Sequence, residues 1–317
     1  MLISAVICTL DRYAALEKCV AALEAQTLAR EEFEIIVVNN AADRAESDRQ
    51  AASYRERAKL KWIHEPRAGL SNARNVAMWQ AGAPLIAFID DDAIAAPGWL
   101  GAYADAFAQF GEAVHIAGGP VRPTWGGPRP EWLADGLLGY LSLIDRGGEA
   151  RVLGDAEWVA GTNVAYRTER LRAAGGFTPA LGRAGSGSIL LSNDETELAE
   201  RMKAAGGLAG WAPAAAVDHL IDASRLDRRW FRRRVAWQAV SDFIRHPEHF
   251  SQNFEGSWAE AERYLAFDHG QNALRALAAD HQDGNMFHWE VSAIYHMTLC
   301  MLGGLAKPPA EDDAQDG

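Results

Sequence analysis

The chain has 317 residues, of which 49% are hydrophobic and 23% are charged, a composition typical of a globular protein with one large domain or two small ones. Its net charge of −12 argues against binding to nucleic acid through a general basic surface. The three cysteines match no zinc or redox spacing, and no run of about 18 uncharged apolar residues occurs, so we expect a cytoplasmic protein without a membrane span.

Apolar runs alternate with helical spacings over the first 120 residues. Strands are predicted at residues 3–8, 33–38, 60–63, 85–89 and 114–117. Helices are predicted around the apolar positions 16, 19, 20 and 23, and at residues 43–58, 71–81 and 98–110, the last with Pro97 as its first residue. This alternation predicts an α/β protein with a mostly parallel sheet flanked by helices.

The pattern changes after residue 120. Prolines, glycines and tryptophans predict a crossing loop at residues 120–130, and residues 159–166 predict a return to the sheet. A flexible loop is expected at residues 182–188, a helix at 194–205 and further helices from 225 onward. We therefore predict a domain of residues 1–222 with halves 1–120 and 121–222, a helical extension 223–306 and a disordered tail 307–317.

Three adjacent carboxylates, Asp90, Asp91 and Asp92, follow the apolar run at residues 85–89. In an extended chain Asp90 and Asp92 point to the same side, where two carboxylates can hold Mg²⁺ or Mn²⁺ and leave positions for diphosphate oxygens. The alternative is a solvated acidic turn that caps the next helix. The preceding strand favours the metal site, because sites in parallel sheets lie at the carboxyl ends of strands.

The segment from Gly69 to Asn75 has the composition of a helix start. Ser71 and Asn72 follow the glycine as capping residues, and Arg74 lies one turn inside, which suits an anion such as a diphosphate. Taken alone, an ordinary capped helix with a surface arginine explains these residues better.

Two further segments carry groups suited to catalysis. Asp194 and Glu195 begin a predicted helix and offer a general base, although acids also favour the first turn of any helix. His219 offers an imidazole ligand to a metal, although a lone histidine is more often a satisfied core or surface residue.

Six arginines lie between Arg225 and Arg234, interleaved with Trp230 and Phe231. On a helix they form a basic amphipathic face, which suits the inner face of an anionic membrane or a phosphate. A solvated face paired with the excess acids of the chain is the alternative.

Taken in order, these motifs resemble the family 2 inverting glycosyltransferases of the GT-A fold over about residues 2–245. The resembling segments are residues 6–12, 35–40, 69–75, 90–92, 158–166 with 175–177, and 194–198. Residues 181–192 and the segment after Arg225 resemble a bacterial subgroup associated with surface polysaccharides. The resemblance implies a GT-A domain that uses Mn²⁺ or Mg²⁺.

The resemblance also implies roles for individual residues. Glu195 takes the base position with Asp194 beside it, and the metal ligands are Asp90, Asp92 and His219. Nucleotide-sugar contacts are implied for Thr9, Asp11, Arg12, Asn39, Asn40, Gly69, Asn72, Arg74, Asp90, Asp91 and Asn163. Asn39 stands where the family usually has Asp, and Glu195 where Asp is common.

The implied reaction is one direct displacement in which sugar passes from a nucleotide diphosphate, by default UDP, to a saccharide or lipid-linked saccharide. A sugar-1-phosphate nucleotidyltransferase is the alternative enzyme, but the turn after the first strand has no glycine. The motifs of dinucleotide dehydrogenases and P-loop enzymes are absent. A non-catalytic carbohydrate- or nucleotide-binding protein on a decayed transferase fold stays open.

Overall fold

A computed structural model of the chain describes residues 1–183, 185, 189–265 and 284–306. The chain divides into two compact units, one of residues 1–128 and 138–223, the other of residues 129–137 and those from 224 onward. The domain bounds drawn from the sequence stay a prediction. The predicted tail at 307–317 lies outside the described residues, as do residues 184 and 186–188 of the predicted flexible loop.

The first unit alternates strands and helices as its apolar pattern predicts. Its strands are β1 (Ile3–Thr9), β2 (Phe33–Asn39), β3 (Leu60–His64), β4 (Leu85–Asp90), β5 (Ala93–Ala95), β6 (Val114–Gly118), β7 (Val121–Trp125), β8 (Arg151–Val152), β9 (Asn163–Arg167), β10 (Leu208–Trp211) and β11 (Val217–Ile221). Its helices are α1 (Tyr13–Glu24), α2 (Arg44–Ala52), α3 (Leu70–Gln80), α4 (Trp99–Phe110), α5 (Thr168–Ala173) and α6 (Asp194–Ala204).

The strands form a large sheet in the order β3-β2-β1-β4-β9-β6-β10-β8. β1 pairs in parallel with both β2 and β4, with Thr9 opposite Asn39 and Cys8 opposite Asp90. Because parallel strands end at the same edge, Thr9, Asn39 and Asp90 come together there without being close in sequence. The α1 positions Leu16, Cys19, Val20 and Leu23 are all buried, as their helical spacing predicts.

The sheet is mixed on its other side. β9 runs antiparallel between β4 and β6 and places Asn163 opposite Ile89. A separate sheet in the order β5-β11-β7 pairs His219 with Ala93, next to the aspartate triplet. These two arrangements bring the second half of the unit to the carboxyl end of β4.

Four local predictions were wrong in detail. Pro97 precedes Gly98, the N-cap of α4, so it lies outside the helix instead of at its first residue. Residues 120–130 contain β7, an edge strand in which a proline is tolerated because one side of the ladder needs no donor. The return to the sheet begins at Asn163 instead of residue 159, and α2 ends at Ala52 instead of residue 58.

The second unit is helical in its described part, with α7 (Arg228–Arg245), α8 (Pro247–Gln252), α9 (Phe254–Leu265) and α10 (Gly284–Ala306). Trp132, Phe231 and Phe287 pack edge to face at its centre. The Arg228 guanidinium lies over Trp132 and Phe287, and Arg234 is also buried. The arginine segment is therefore not one continuous exposed face, because aromatic packing takes part of it inside. None of the described helices is long and apolar enough to cross a bilayer.

Candidate functional site

A cluster of metal-ligand type lies at the carboxyl end of β4. One ligand atom each from Asp90, Asp92 and His219 lies within 4.8 Å of the others, and His219 Nε2 is 3.4 Å from Asp92 Oδ1. Asp92 and His219 are buried and Asp90 is partly exposed, so the cluster has one open side. Two carboxylates and an imidazole suit a divalent cation such as Mn²⁺.

The backbone creates this cluster in a way that the extended-chain argument did not foresee. β4 ends at Asp90, and Asp91 and Asp92 lie in a turn. β11 then reaches the turn from far along the chain, where Leu220 N donates to the Asp92 carbonyl oxygen at 2.9 Å. The expectation that Asp90 and Asp92 share a side holds through a turn instead of through a strand.

Asp91 faces a different set of partners. Thr9 Oγ1 donates to Asp91 Oδ2 at 2.7 Å, and Arg12 Nη2 lies 2.5 Å from Asp91 Oδ1. Arg12 also pairs with Asp92, while 46% of its side chain stays exposed. Burial raises the pKa of Asp91 to about 7, although the positive charge of Arg12 opposes that rise.

A second group of carboxylates lies around a buried arginine. Arg74 Nη1 on α3 donates to Asp194 Oδ2 on α6 at 2.6 Å, and Arg74 Nη2 donates to the Gly161 carbonyl at 2.9 Å. Arg74 Nη2 also lies 3.5 Å from Asp90 Oδ1, so Arg74 reaches the metal-type cluster as well.

Glu195 lies beside this group. A Cβ added to Gly161 would be 3.1 Å from both Glu195 Cδ and the Arg74 guanidinium, so all three are in close proximity. Glu195 keeps partial solvent exposure. Removal from water and then the negative charge of Asp194 raise the pKa of Glu195 to about 8, and Arg74 opposes the rise. The arrangement can take up a proton near neutral pH.

The residues predicted to contact the nucleotide differ in how many of their side-chain hydrogen bonds go to other protein groups. Asn39 Nδ2 donates to the Tyr13 hydroxyl at 3.1 Å, and Asn39 Oδ1 accepts from Ala41 N. The amide of Asn40 ties β2 to the segment before α3 through three bonds, to Glu65 O, Arg67 O and Gly69 N. Asp11 is exposed and belongs to neither cluster described above.

The start of α3 differs from its predicted capping. Its N-cap is Gly69, whose φ of 127° suits glycine, and no side chain caps the helix. Ser71 Oγ donates to the Leu181 carbonyl at 2.8 Å, and Asn72 Nδ2 donates to Ala68 O. Neither side chain therefore caps the helix, because each donates its hydrogen bond to a backbone carbonyl, that of Leu181 or that of Ala68.

Asn163 is fully buried, and four protein groups use its side chain. Trp99 Nε1 and the Tyr103 hydroxyl donate to its Oδ1, and its Nδ2 donates to the carbonyls of Pro120 and Ala215. Because its side-chain oxygen and nitrogen both bond to protein groups, Asn163 positions α4 and the segments at Pro120 and Ala215 in the described structure.

Replacing Asn163 with Ala is expected to lower the free energy of unfolding by about 3 kcal/mol or more, because four buried polar groups lose their partner. Urea unfolding followed by fluorescence measures this change. Asn253→Ala, the same substitution at an exposed position, is the control and should change it by less than about 0.5 kcal/mol. Equal, small effects at both positions would contradict the role of Asn163.

Sequence reasoning missed two residues of the site. Thr162 Oγ1 donates to Asp90 Oδ2 at 2.7 Å and orients it. Gly161 allows the close approach described above. Both belong to the segment 158–166, one of those that resemble the family, and this resemblance was the available signal.

Comparisons with known proteins bear on the family and the fold of the chain. Residues 4–147 match the family model described as glycosyl transferase family 2. Over 245 residues the chain is 26% identical to the glucosyl-dolichyl phosphate glucuronosyltransferase of Haloferax volcanii, with 76% of each chain covered. Over 173 residues it is 25% identical to the succinoglycan biosynthesis protein ExoM of Rhizobium meliloti, covering 55% of this chain and only about half, 52%, of that relative.

A solved structure shows the fold. The mannosyltransferase PcManGT from Pyrobaculum calidifontis, in complex with GDP-Man and Mn²⁺, superposes with a TM-score of 0.59 over 96% of this chain and 88% of its own. At 18% identity this likeness concerns the fold alone. It confirms the predicted α/β GT-A class with a mostly parallel sheet.

Proposed function

Because this chain belongs to glycosyl transferase family 2 through residues 4–147, it is a glycosyltransferase, and we propose that it inverts the anomeric centre as it moves a sugar from a nucleotide diphosphate to a hydroxyl acceptor. One observation carries the proposal. A carboxylate–histidine cluster and the partly exposed residue Glu195, whose carboxyl group has a raised pKa, both lie beside the buried Arg74.

Asp90, Asp92 and His219 would hold Mn²⁺ or Mg²⁺, since their oxygen and imidazole donors suit either ion. A bound metal would neutralise the charge that develops on the leaving diphosphate. Arg12, half exposed at the same cluster, is proposed to bind a diphosphate oxygen. Thr9 and Asp91 hold the turn from which Arg12 projects.

Glu195 is proposed as the general base. It accepts the proton of the acceptor hydroxyl, while the hydroxyl oxygen attacks the anomeric carbon on the face opposite the leaving nucleotide diphosphate. One displacement inverts the configuration. The partial exposure of Glu195 supports this role, because the acceptor must reach its carboxylate.

The donor and acceptor classes are also proposals. Asn39 in place of the usual Asp leaves the nucleotide open, with UDP as the default, and the PcManGT complex shows that the fold also accepts GDP-Man. A saccharide or lipid-linked saccharide acceptor is supported by the names of the relatives, one acting on a dolichyl phosphate and one in succinoglycan biosynthesis. Membrane contact through Arg225–Arg234 stays a prediction.

A donor screen tests the proposal. Purified protein with Mn²⁺ or Mg²⁺ is given a panel of UDP- and GDP-sugars, and release of nucleotide diphosphate is followed with and without EDTA. Metal-dependent release from one donor, with a product of opposite anomeric configuration by NMR, is the expected result. A retained configuration would overturn the single displacement, and binding without turnover would favour the decayed-fold alternative.

The transfer rate is expected to rise with pH to about 8, because Glu195 acts as a base only when deprotonated and its pKa is raised. An unperturbed glutamate would give a rate that levels near pH 5 to 6. The rate at saturating donor and acceptor, measured across this range at constant metal saturation, decides between the two. A flat profile above pH 6 would contradict the assignment.

A further inference from the structure

Arg74 has the contacts of an internal link. Its side chain is 4% exposed, and its guanidinium bonds to Asp194 and to the Gly161 carbonyl while lying 3.5 Å from Asp90. Asp194 is equally buried, with 4% of its side chain exposed. Arg74, which was predicted to bind a diphosphate, therefore donates its hydrogen bonds to oxygens of the protein.

We propose that Arg74 is a positioning residue that divides its charge between the metal-side carboxylate Asp90 and the base-side carboxylate Asp194. One buried guanidinium then sets both the cation affinity of Asp90 and the placement of Glu195, which follows Asp194 in the chain. The inference rests on the proposed function for its catalytic part, whereas its effect on cation binding stands without it.

The surroundings of Arg74 hold the guanidinium in one place. The rings of Phe88 and Phe177 lie with their centroids 5.9 Å and 5.3 Å from its central carbon. A Cβ at Gly161 would crowd both of its terminal nitrogens at 3.1 Å. A fixed, planar cation between two carboxylates can move only slightly toward either of them.

The backbone at Gly182 confines Asp194 as well. A Cβ added there would be 2.8 Å from Ser71 Oγ and 3.2 Å from Asp194 Cγ, and the φ of 84° suits glycine. Asp194 therefore has little room to turn away from Arg74. A change of charge at Asp194 should therefore alter the affinity of Asp90 for a cation.

Electrostatics predict effects of opposite sign at the two ends. Arg74 repels a cation bound at Asp90, so Arg74→Gln is expected to tighten Mn²⁺ binding about tenfold. Asp194→Asn removes the negative charge that offsets the charge of Arg74 near Asp90, so it is expected to weaken Mn²⁺ binding by a similar factor. A role limited to structural support predicts weaker binding in both variants.

Mn²⁺ titration by calorimetry, on the full chain without donor, measures these affinities. The double variant Arg74→Gln/Asp194→Asn should return toward the wild-type value. Arg201→Gln is the matched control, because Arg201 also bonds to a carboxylate and a carbonyl, Glu197 and Gly176, in this unit. Its Mn²⁺ affinity should equal that of the wild type.

Arg74→Lys separates charge from placement. Lysine keeps the cation but loses the planar fork, so Mn²⁺ affinity should stay within about threefold while kcat falls about a hundredfold with KM for the donor retained. Circular dichroism and thermal unfolding check each fold. If Arg74→Gln does not fold, the inference is still supported by two results together: weaker Mn²⁺ binding in Asp194→Asn and unchanged Mn²⁺ binding in Arg74→Lys.

If Arg74→Gln and Asp194→Asn change Mn²⁺ affinity in the same direction, or if neither changes it, the proposed role of Arg74 is overturned. Opposite signs in a protein that transfers no sugar would preserve the electrostatic link and reject the proposed function. The two failures are therefore distinguishable.

Discussion

Glu195→Gln is expected to lower the rate of sugar transfer by about 10³-fold to 10⁴-fold while donor and Mn²⁺ still bind, because only the group that accepts the acceptor proton is lost. The glutamine keeps the size of the side chain but cannot accept a proton. Since this carboxyl has a raised pKa, a neutral isostere should not lower the free energy of unfolding. Single-turnover transfer and donor binding by calorimetry measure the two quantities separately.

The matched control is Glu200→Gln, the same substitution at an exposed position of α6. It should leave both the rate and donor binding unchanged. A Glu195→Gln variant that loses donor binding and rate together would show that Glu195 supports the donor site instead of the proton transfer.

Asp92→Asn is expected to weaken Mn²⁺ binding at least a hundredfold, because even groups that only orient a metal ligand contribute about ten- to a hundredfold. Mn²⁺ should raise the unfolding temperature of the wild type, since an ion at a hundred times its Kd adds about 2.7 kcal/mol to the free energy of unfolding. The variant should lose that shift. Transfer should fall with it and fall equally in EDTA-treated wild type.

Thermal unfolding with and without Mn²⁺ tests this expectation in the absence of any substrate. Asp218→Asn is the control, because Asp218 is exposed and adjoins His219 in β11. It should keep the Mn²⁺ shift. An Asp92→Asn variant with an undiminished shift would place the cation elsewhere, and full activity in EDTA would reject metal dependence.

Local pattern predicted most of the first half of the fold. β1, β2, β3, β4 and β6 lie within one or two residues of their predicted positions, because buried strands are apolar runs whatever they pair with. The α1 core face is also as predicted. The short strand β7 was missed, since its proline and tryptophan carry the composition of a loop and only pairing with β11 makes it a strand.

The same division applies to side chains at the site. The aspartate triplet stands out in the sequence because three charges after an apolar run need a cation nearby. Nothing local distinguishes Asn163, predicted to contact the nucleotide sugar, from a ligand-binding residue. Its four internal hydrogen bonds depend on partners from three other parts of the chain, namely α4, Pro120 and Ala215.

The sequence shows which groups can carry chemistry: the carboxylates, the imidazole of His219, and the order of motifs that indicates the family. The tertiary structure decided which of these groups meet. Arg74 and Asp194 are 120 residues apart, and Thr162 and Asp90 are 72 apart. Periodicity reports which face of an element is buried, but strand order and crossovers decide what lies against that face. For that reason, the sequence predicts that Arg74 binds an anion, whereas in the fold Arg74 lies between the carboxylates of Asp90 and Asp194.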